Sequence, residues 1–466
     1  MALAVAKQLA DLLGDRFTTS AGICHEHGSD ISHFEPMPPD AVAFPETTEE
    51  VQDIVKACAR TRTPIIPYGA GTSLEGHINA TEGGVCIDLS RMNAILAVHQ
   101  DDLDVVVQAG VTREQLNTHL RDLGLFFPID PGANATLGGM AATRASGTNA
   151  VRYGTMKENV LALKVVTASG EVISTGRRAR KSSAGYDLTR LFIGSEGTLG
   201  IITEITLKLH GIPEHIKAAI CAFDDFESAV RSVIETIQIG APIARVEFLD
   251  DAALRAVNHA SRLGLTEKPT LFLEFHGSPK SVEEQVELVR EIMLSNGGEA
   301  FQWAEQPEDR NRIWKARHET ALSVSAYATG TKQWWTDVCV PISCLADCLI
   351  ETKADIDSTG LYAPIVGHVG DGNFHVGISA MEGDEAAFEQ AQALHDRLVR
   401  RALAMDGTCT GEHGIGRGKL DYLIEEHGPA VAVMRAIKHA LDPDGILNPG
   451  KVLRSTPVTE HQLRVS

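Results

Sequence analysis

The sequence predicts an α+β fold in two domains, and three observations carry that prediction. Three glycine-rich loops fall within residues 38–213, beside short apolar strand patterns. After Gly211-Ile212-Pro213 glycine thins out, and strands alternate with longer helical patterns. The end, Leu441–Lys451, is too rich in turns for a free tail and reads as a segment that docks back on the body. The expected division is an N-terminal helical segment (1–37), a first domain (38–213), a second domain (214–410) and a returning C-terminal segment (411–466).

In chain order, residues 1–13 form an amphipathic helix; no basic n-region precedes the apolar residues, and Asp11 comes early. Thr47-Thr48-Glu49-Glu50 is a capping box ahead of the helical run Val51, Ile54, Val55, Ala57, Cys58. Pro64-Ile65-Ile66-Pro67 is a short buried strand leading into Tyr68-Gly69-Ala70-Gly71-Thr72-Ser73-Leu74-Glu75-Gly76-His77. A glycine turn after a strand lets backbone N–H groups converge on an anion, because no Cβ blocks the approach. It is not the dinucleotide fingerprint, since no helix pattern resumes behind it. Strands follow at Val85–Leu89, Ile95–Val98 and Val105–Ala109, and Thr112 caps a further helix. The run Pro131–Gly147 and the turn Ser195–Gly200, which opens the strand Ile201–Leu209, are built of small residues. Tight packing of helix on strand is one use for them; a backbone lying flat against a large ligand is the other. Three in one domain favour an extended, phosphate-bearing cofactor.

The second domain reads as helix Asp225–Ile239, strand Arg245–Leu249, helix Asp251–Leu263, strand Thr270–Phe275 and helix Ser281–Ser295. A long helix Gln306–Tyr327 carries Arg310, Arg312, Lys315 and Arg317, and one basic residue turned to a cleft could hold a carboxylate bidentately. A strand at 331–341, helix Ile342–Ser358 and helix Asp384–Met405 complete it.

The chemistry is expected at Gly367–Ile378. Asp371-Gly372 signals a type I′ hairpin loop, which would set Gly370 opposite Asn373, Val369 opposite Phe374 and His368 opposite His375. Opposed residues have Cβ atoms roughly 4.5–5.5 Å apart, close enough for two imidazoles to share an ion. A surface hairpin with two incidental histidines is the bland alternative. Gly411-Glu412-His413-Gly414-Ile415-Gly416 adds a carboxylate and a third imidazole. Together His368, His375 and Glu412 make a borderline-metal set, suited to Zn²⁺ or Mn²⁺, that leaves positions for substrate, with His413 over as a base.

Composition narrows the classes. The 466 residues carry 42 basic and 62 acidic side chains, a formal charge of −20, which repels phosphate backbones and argues against nucleic acid. No apolar run is long enough to span a bilayer. Eight scattered cysteines with no C-x-x-C pair fit reduced thiols and a cytoplasmic setting.

Together these stretches resemble the FAD-dependent D-2-hydroxyacid dehydrogenases of the vanillyl-alcohol-oxidase (PCMH-type) superfamily, nearest the D-lactate dehydrogenase (cytochrome) and glycolate oxidase branch. The marks are P-Y-G-A-G-T-S-L-E-G at 67–76, P-G-A-N-A-T-L-G-G-M at 131–140, T-N-A-V-R-Y-G-T-M at 148–156, K-S-S-A-G-Y-D-L at 181–188, G-S-E-G-T-L-G at 194–200, G-H-V-G-D-G-N-F-H at 367–375 and G-E-H-G-I-G at 411–416. The resemblance implies a two-subdomain FAD-binding domain and a ferredoxin-like cap. It implies FAD contacts from Pro67, Gly69, Ala70, Gly71, Thr72, Ser73 and Gly76 in the first loop. Pro131, Thr136, Leu137, Gly139, Ala142, Ser146 and Gly147 would follow from the second, with Glu196, Gly200, Ile202 and Asn448 completing the cradle. It implies a divalent metal on His368, His375 and Glu412, His413 as base, Asn373 beside the substrate and Arg317 on its carboxylate. Thr72 stands where relatives with histidyl-linked flavin carry His, so FAD is expected to be non-covalent. Electrons would pass to a cytochrome, a quinone or an electron-transferring flavoprotein rather than O₂; a homodimer is left open. Trp334-Trp335, near which relatives specific for a second carboxylate carry lysine, favours D-lactate or a somewhat larger aliphatic D-2-hydroxyacid over 2-hydroxyglutarate, with 2-hydroxyglutarate and glycolate as the alternative substrates. The rivals are an oxidase of the same fold, a metallohydrolase using the same three ligands, and a non-catalytic cofactor-binding protein.

Overall fold

The computed structural model describes residues 5–304 and 306–455. Residues 1–4, expected at the start of the opening helix, lie outside the described residues; the helix runs Ala6–Leu13 and buries Leu9 and Leu13.

The chain divides into two units. The first gathers residues 1–146, 155–212 and 412–466; the second gathers 147–154 and 213–411. The segment 147–154 therefore departs from the expected boundary at 213, for a polar reason. Its short helix Ala150–Tyr153 sends Arg152 to the carbonyls of Pro242 (2.7 Å) and His276 (2.9 Å). Tyr153 Oη lies 2.9 Å from His276 Nδ1, and Asn149 accepts from Arg245 Nε at 3.0 Å. These bonds tie the segment to the second unit, with which it folds.

The first unit holds two main sheets. In one, Ala41–Ala43, Val85–Asp88 and Ile65–Tyr68 run parallel, with Phe17–Thr18 antiparallel at the edge. In the other, Ile95–His99, Asp104–Gln108, Ile201–Lys208, Val160–Val166 and Val172–Ser174 pair antiparallel in that order. Both feed one core with Val51, Ile54, Ile65, Val85, Val107, Leu163, Phe192 and Ile205. At the 47–50 box Thr47 Oγ1 accepts from Glu50 N (3.1 Å), but the Glu50 carboxylate turns to Arg16, so only half of the reciprocal cap forms. Ile65 N donates to Ile446 O (2.8 Å) and Asn448 N to Ile65 O (2.8 Å), which docks the Leu441–Lys451 turns onto the first parallel sheet.

The second unit is built on one antiparallel eight-stranded sheet, in the order Glu299–Ala304, His215–Ala222, Thr270–Gly277, Ile243–Leu249, Ile365–His368, Asn373–Met381 and Thr331–Trp335, with Val338–Cys339 also on Asn373–Met381. The long helix expected at 306–327 is two, Pro307–His318 and Thr320–Tyr327, and the strand expected at 331–341 is interrupted at 336–337.

The hairpin register also differs from expectation. Strand Ile365–His368 pairs Val366 with His375, Gly367 with Phe374 and His368 with Asn373. The loop is therefore the four residues 369–372, with a 3₁₀ turn at Val369–Asp371 closed by Gly372 at φ +78°. His368 and His375 are diagonal neighbours on one face, not a directly opposed pair. Position 372 has no room for a side chain: a Cβ on Gly372 would sit 2.1 Å from Val340 O. Gly383 has a similar φ of +81° but open space around it. Gly383→Ala should thus cost about 1–2 kcal/mol of left-handed strain, while Gly372→Ala should lower the thermal midpoint clearly further; equal midpoints for the two variants would contradict this account of the turn.

Candidate active site

The register of the second unit's sheet brings together most of its chemistry. Phe248 pairs with Gly367, so Glu247 falls in line with His368. Side chains alternate between faces, which sets Glu247, Val366, His368, Asn373, His375 and, through its pairing with Gly377, Trp335 on one face. Arg317, from the helix Pro307–His318, reaches the same place.

Each polar group there is held. Glu247 is 1% exposed and accepts at both oxygens: His368 Nδ1 at 2.7 Å and Arg317 Nη2 at 2.5 Å. His375 Nδ1 lies 3.0 Å from the carbonyl oxygen of Thr336 and 3.6 Å from the fully buried Asp337. A carbonyl only accepts, and a carboxylate does the same, so both histidines carry a proton on Nδ1, and Nε2 is the ring atom each can turn to a cation. The rings lie 5.4 Å apart, nearly perpendicular at 84°. Two imidazoles held at Nδ1 by a carboxylate and a carbonyl are a donor set that fits a borderline divalent cation.

Asn373 donates both amide hydrogens, to Asp337 Oδ1 (2.8 Å) and to Val338 O (2.7 Å). Only its Oδ1 is left to face a ligand. Arg317 is 8% exposed, and its Nε is buried without an acceptor in the protein. A buried guanidinium with one arm paired and an N–H unmet suits a carboxylate ligand. Trp335 lies flat over Gly377, where a Cβ would come 2.7 Å from its ring, and packs against the apolar cluster of Leu249 and Val366. Trp334, on the other face, packs on His395 and Phe388.

Glu412 and His413 belong to the first unit and are half-buried. Gly411, the last residue of the second unit, lies against the Asn373 amide so closely that a Cβ would sit 2.4 Å from Nδ2. The strap behind His413 is anchored by Glu196. That carboxylate, 6% exposed, accepts from the backbone N–H of Ile415 (2.7 Å) and Gly416 (2.8 Å) and pairs with His77 Nε2 at 3.1 Å. Gly414, at φ +86°, has no room for a Cβ between Glu196 and His77. Burial opposes charge on both partners, yet their mutual attraction and hydrogen bonding outweigh it: the His77 pKa is raised and the Glu196 pKa lowered. Glu75 adds a second buried pair, with Lys419 at 3.2 Å.

The loops expected to hold a cofactor converge in the first unit. Residues 70–73 are partly exposed, and their amides make no hydrogen bond to another protein group. Such a run of N–H donors is an anion nest, fit for a pyrophosphate. Thr136 caps the helix Leu137–Thr143 and sits so close to Gly69 that a Cβ there would be 2.3 Å from its Oγ1. Asn448 Nδ2 ties the carbonyls of His77 (3.2 Å) and Glu196 (2.8 Å), and Ala142 O accepts from Glu196 N (2.8 Å). Pro67 packs on Gly197, where a Cβ would come 2.8 Å from Cγ. Leu137 and Ile202 are core side chains, and a Cβ on Gly200 would strike Val165, so these three positions offer a ligand backbone at most. Pro131, Gly139 and Ser146 are half-buried, and Gly147 lies at the boundary, in the segment that folds with the second unit. Residues that the sequence reading left without a role are Glu247, Asp337, His77, Glu75 and Lys419. The available signal was a charge inside an apolar strand: Glu247 stands in Ile-Ala-Arg-Val-Glu-Phe-Leu, where an unpaired carboxylate could not be buried.

The comparisons with known proteins show that this is an FAD-linked oxidoreductase. Residues 212–452 match the model for the C-terminal domain of FAD linked oxidases, and residues 39–176 match an FAD binding domain. The chain belongs to this family of FAD-linked oxidases. It is 52% identical over 463 residues to a probable mitochondrial D-lactate dehydrogenase of Danio rerio, covering 98% of this chain and 93% of that one. It is 47% identical to the mitochondrial D-lactate dehydrogenase [cytochrome] of Arabidopsis thaliana, over 96% and 79% of the two chains. A glycolate oxidase subunit of Bacillus subtilis is 35% identical over 89% of each. Among solved structures, p-cresol methylhydroxylase has a TM-score of 0.80 at 19% identity, covering 97% of this chain and 96% of that one, which shows the shared fold.

The His77–Glu196 pair sets a pH dependence. Glu196, with its pKa lowered from 4.5, contributes stability above that value and loses it as pH falls through the lowered one. His77, raised from 6.5, contributes fully below that value and loses the contribution as pH rises through the raised one. The thermal-midpoint difference between the native protein and His77→Gln should therefore be larger near pH ~6 than near pH ~9. Taking a difference removes the opposing trend of Lys451, which burial lowers to about 8; a difference independent of pH would contradict the pairing.

Proposed function

We propose that this flavoenzyme oxidises D-lactate, or a somewhat larger aliphatic D-2-hydroxyacid, to the 2-oxoacid. The observation that carries the substrate class is the convergence on one sheet face of a buried arginine with an unmet N–H and two histidines presenting Nε2. The D-lactate dehydrogenases that the chain resembles over nearly its whole length support the choice among 2-hydroxyacids. Trp335 on the same face supports an apolar substrate tail over a second carboxylate.

Oxidation of R–CH(OH)–COO⁻ removes a proton from the hydroxyl oxygen and a hydride from C2. The loops of the first unit around Gly69–Ser73 and Thr136 would hold FAD, which would supply the hydride acceptor, and Thr72 supports a non-covalent attachment. His368, His375 and Glu412 would hold a divalent cation, Zn²⁺ or Mn²⁺, which would supply Lewis acidity to lower the hydroxyl pKa. Arg317 grips the carboxylate through the N–H that Glu247 leaves unmet. Asn373 offers Oδ1 to the hydroxyl, its amide hydrogens being taken by Asp337 and Val338. His413 accepts the hydroxyl proton, which an imidazole does efficiently near neutral pH. Electrons leave to a cytochrome, a quinone or an electron-transferring flavoprotein, and the acidic surface favours a basic redox protein. The eight free thiols fit a reducing compartment, the cytoplasm being the one expected from sequence.

Assayed with an artificial acceptor, the protein should oxidise D-lactate and not L-lactate, lose activity on metal chelation and regain it with Zn²⁺ or Mn²⁺. Activity untouched by thorough metal removal would overturn the cation's role, and turnover on O₂ alone would make it an oxidase. His413→Ala should cut kcat by about 10²–10⁴-fold with flavin retained; unchanged kcat would remove it as the base.

A further inference from the structure

We infer that Glu247 is a positioning residue that ties the cation site to the substrate-carboxylate site and fixes the spacing between them. The inference rests on the reading of His368 as a cation ligand and Arg317 as the carboxylate grip. Glu247 bridges the two. One oxygen accepts from His368 Nδ1 at 2.7 Å, the other from Arg317 Nη2 at 2.5 Å, and the residue is 1% exposed. Its place is not adjustable, because Glu247 lies mid-sheet, flanked by the ladders to Thr270–Gly277 and Ile365–His368.

Two consequences follow from chemistry. A carboxylate on Nδ1 locks the imidazole tautomer and ring angle and makes Nε2 a better donor to a cation. The other oxygen occupies one arm of the guanidinium, so the arginine meets an anion with its Nε edge rather than swinging free. The pair also leaves the buried spot near neutral before substrate arrives, since the charges of Glu247 and Arg317 offset each other. A 2-hydroxyacid carries hydroxyl and carboxylate on adjacent carbons, so a fixed spacing between cation and arginine selects that arrangement. The other reading of Glu247 is a plain structural counter-ion for a buried arginine, which would leave His368 unaffected.

The test is Zn²⁺ affinity by chelator competition on the flavin-loaded protein, beside KM and kcat for D-lactate. Glu247→Gln should weaken Zn²⁺ binding by about 10–100-fold and raise KM more than it lowers kcat at saturating metal. Arg317→Lys should raise KM while Zn²⁺ affinity stays within about 3-fold of the native value, since Glu247 still holds His368. If Glu247→Gln does not fold, Glu247→Asp carries the same test, because a side chain one methylene shorter cannot reach both partners. Native Zn²⁺ affinity and KM in a folded Glu247 variant would overturn the inference alone. A native protein that binds no Zn²⁺ would overturn the cation reading beneath it.

Discussion

A buried carboxylate shared between an imidazole and a guanidinium is the interaction on which the second unit's chemistry depends. Placing Glu247 inside a sheet costs several kcal/mol of desolvation unless its charge is met, and it is met at both oxygens. Nothing local does this. The Glu247 strand must lie beside the His368 strand in one register, and the helix carrying Arg317 must cross that face. A slip of one residue would turn Glu247 and His368 to opposite faces. The Gly372 turn and the ladder from Val366 to His368 are therefore part of the site's geometry as much as the histidines are.

The first unit solves a different problem with the same economy of buried charge. Its loops are small because protein backbone and side chains already crowd them: Gly69 against Thr136, Gly197 against Pro67, Gly414 against Glu196 and His77. Glycine there serves the packing of loop on loop, and the amides of residues 70–73 are the part left facing outward. Glu196 joins the Ser195–Gly200 turn, the His77 loop and the Ile415–Gly416 strap through one side chain. Its φ of +53° is a strained choice for a non-glycine residue, and the bonds its carboxylate makes are what hold it.

How much of this was legible in the sequence depends on how local each feature is. The α+β class, the change of texture near residue 213 and the docking of Leu441–Lys451 follow from turn residues and apolar period, which act over a few positions. Motif spacing put His368, His375 and Asn373 on one face, where they lie; Arg317, singled out by the resemblance alone, reaches the same place. The hairpin register was not legible: Asp371-Gly372 has the composition of a two-residue turn, but the ladder ends at His368–Asn373 and the loop is four residues long, packed against the carbonyl of Val340. The helix at 306–327 breaks after His318 although no Pro or Gly marks the place. Segment 147–154 folds with the second unit because of Pro242, His276 and Arg245, all roughly a hundred residues away. The alanine-rich strand His215–Ala222 escaped notice because alanine has little strand preference and burial alone forms it.

In the mechanism proposed above, a D-2-hydroxyacid reduces the flavin directly. Anaerobic mixing of the oxidised, metal-loaded protein with D-lactate, followed by its visible flavin absorbance, tests this most directly. The flavin should bleach within the time of one turnover with D-lactate and stay oxidised with L-lactate. Flavin that stays oxidised with D-lactate and its aliphatic homologues alike would contradict it.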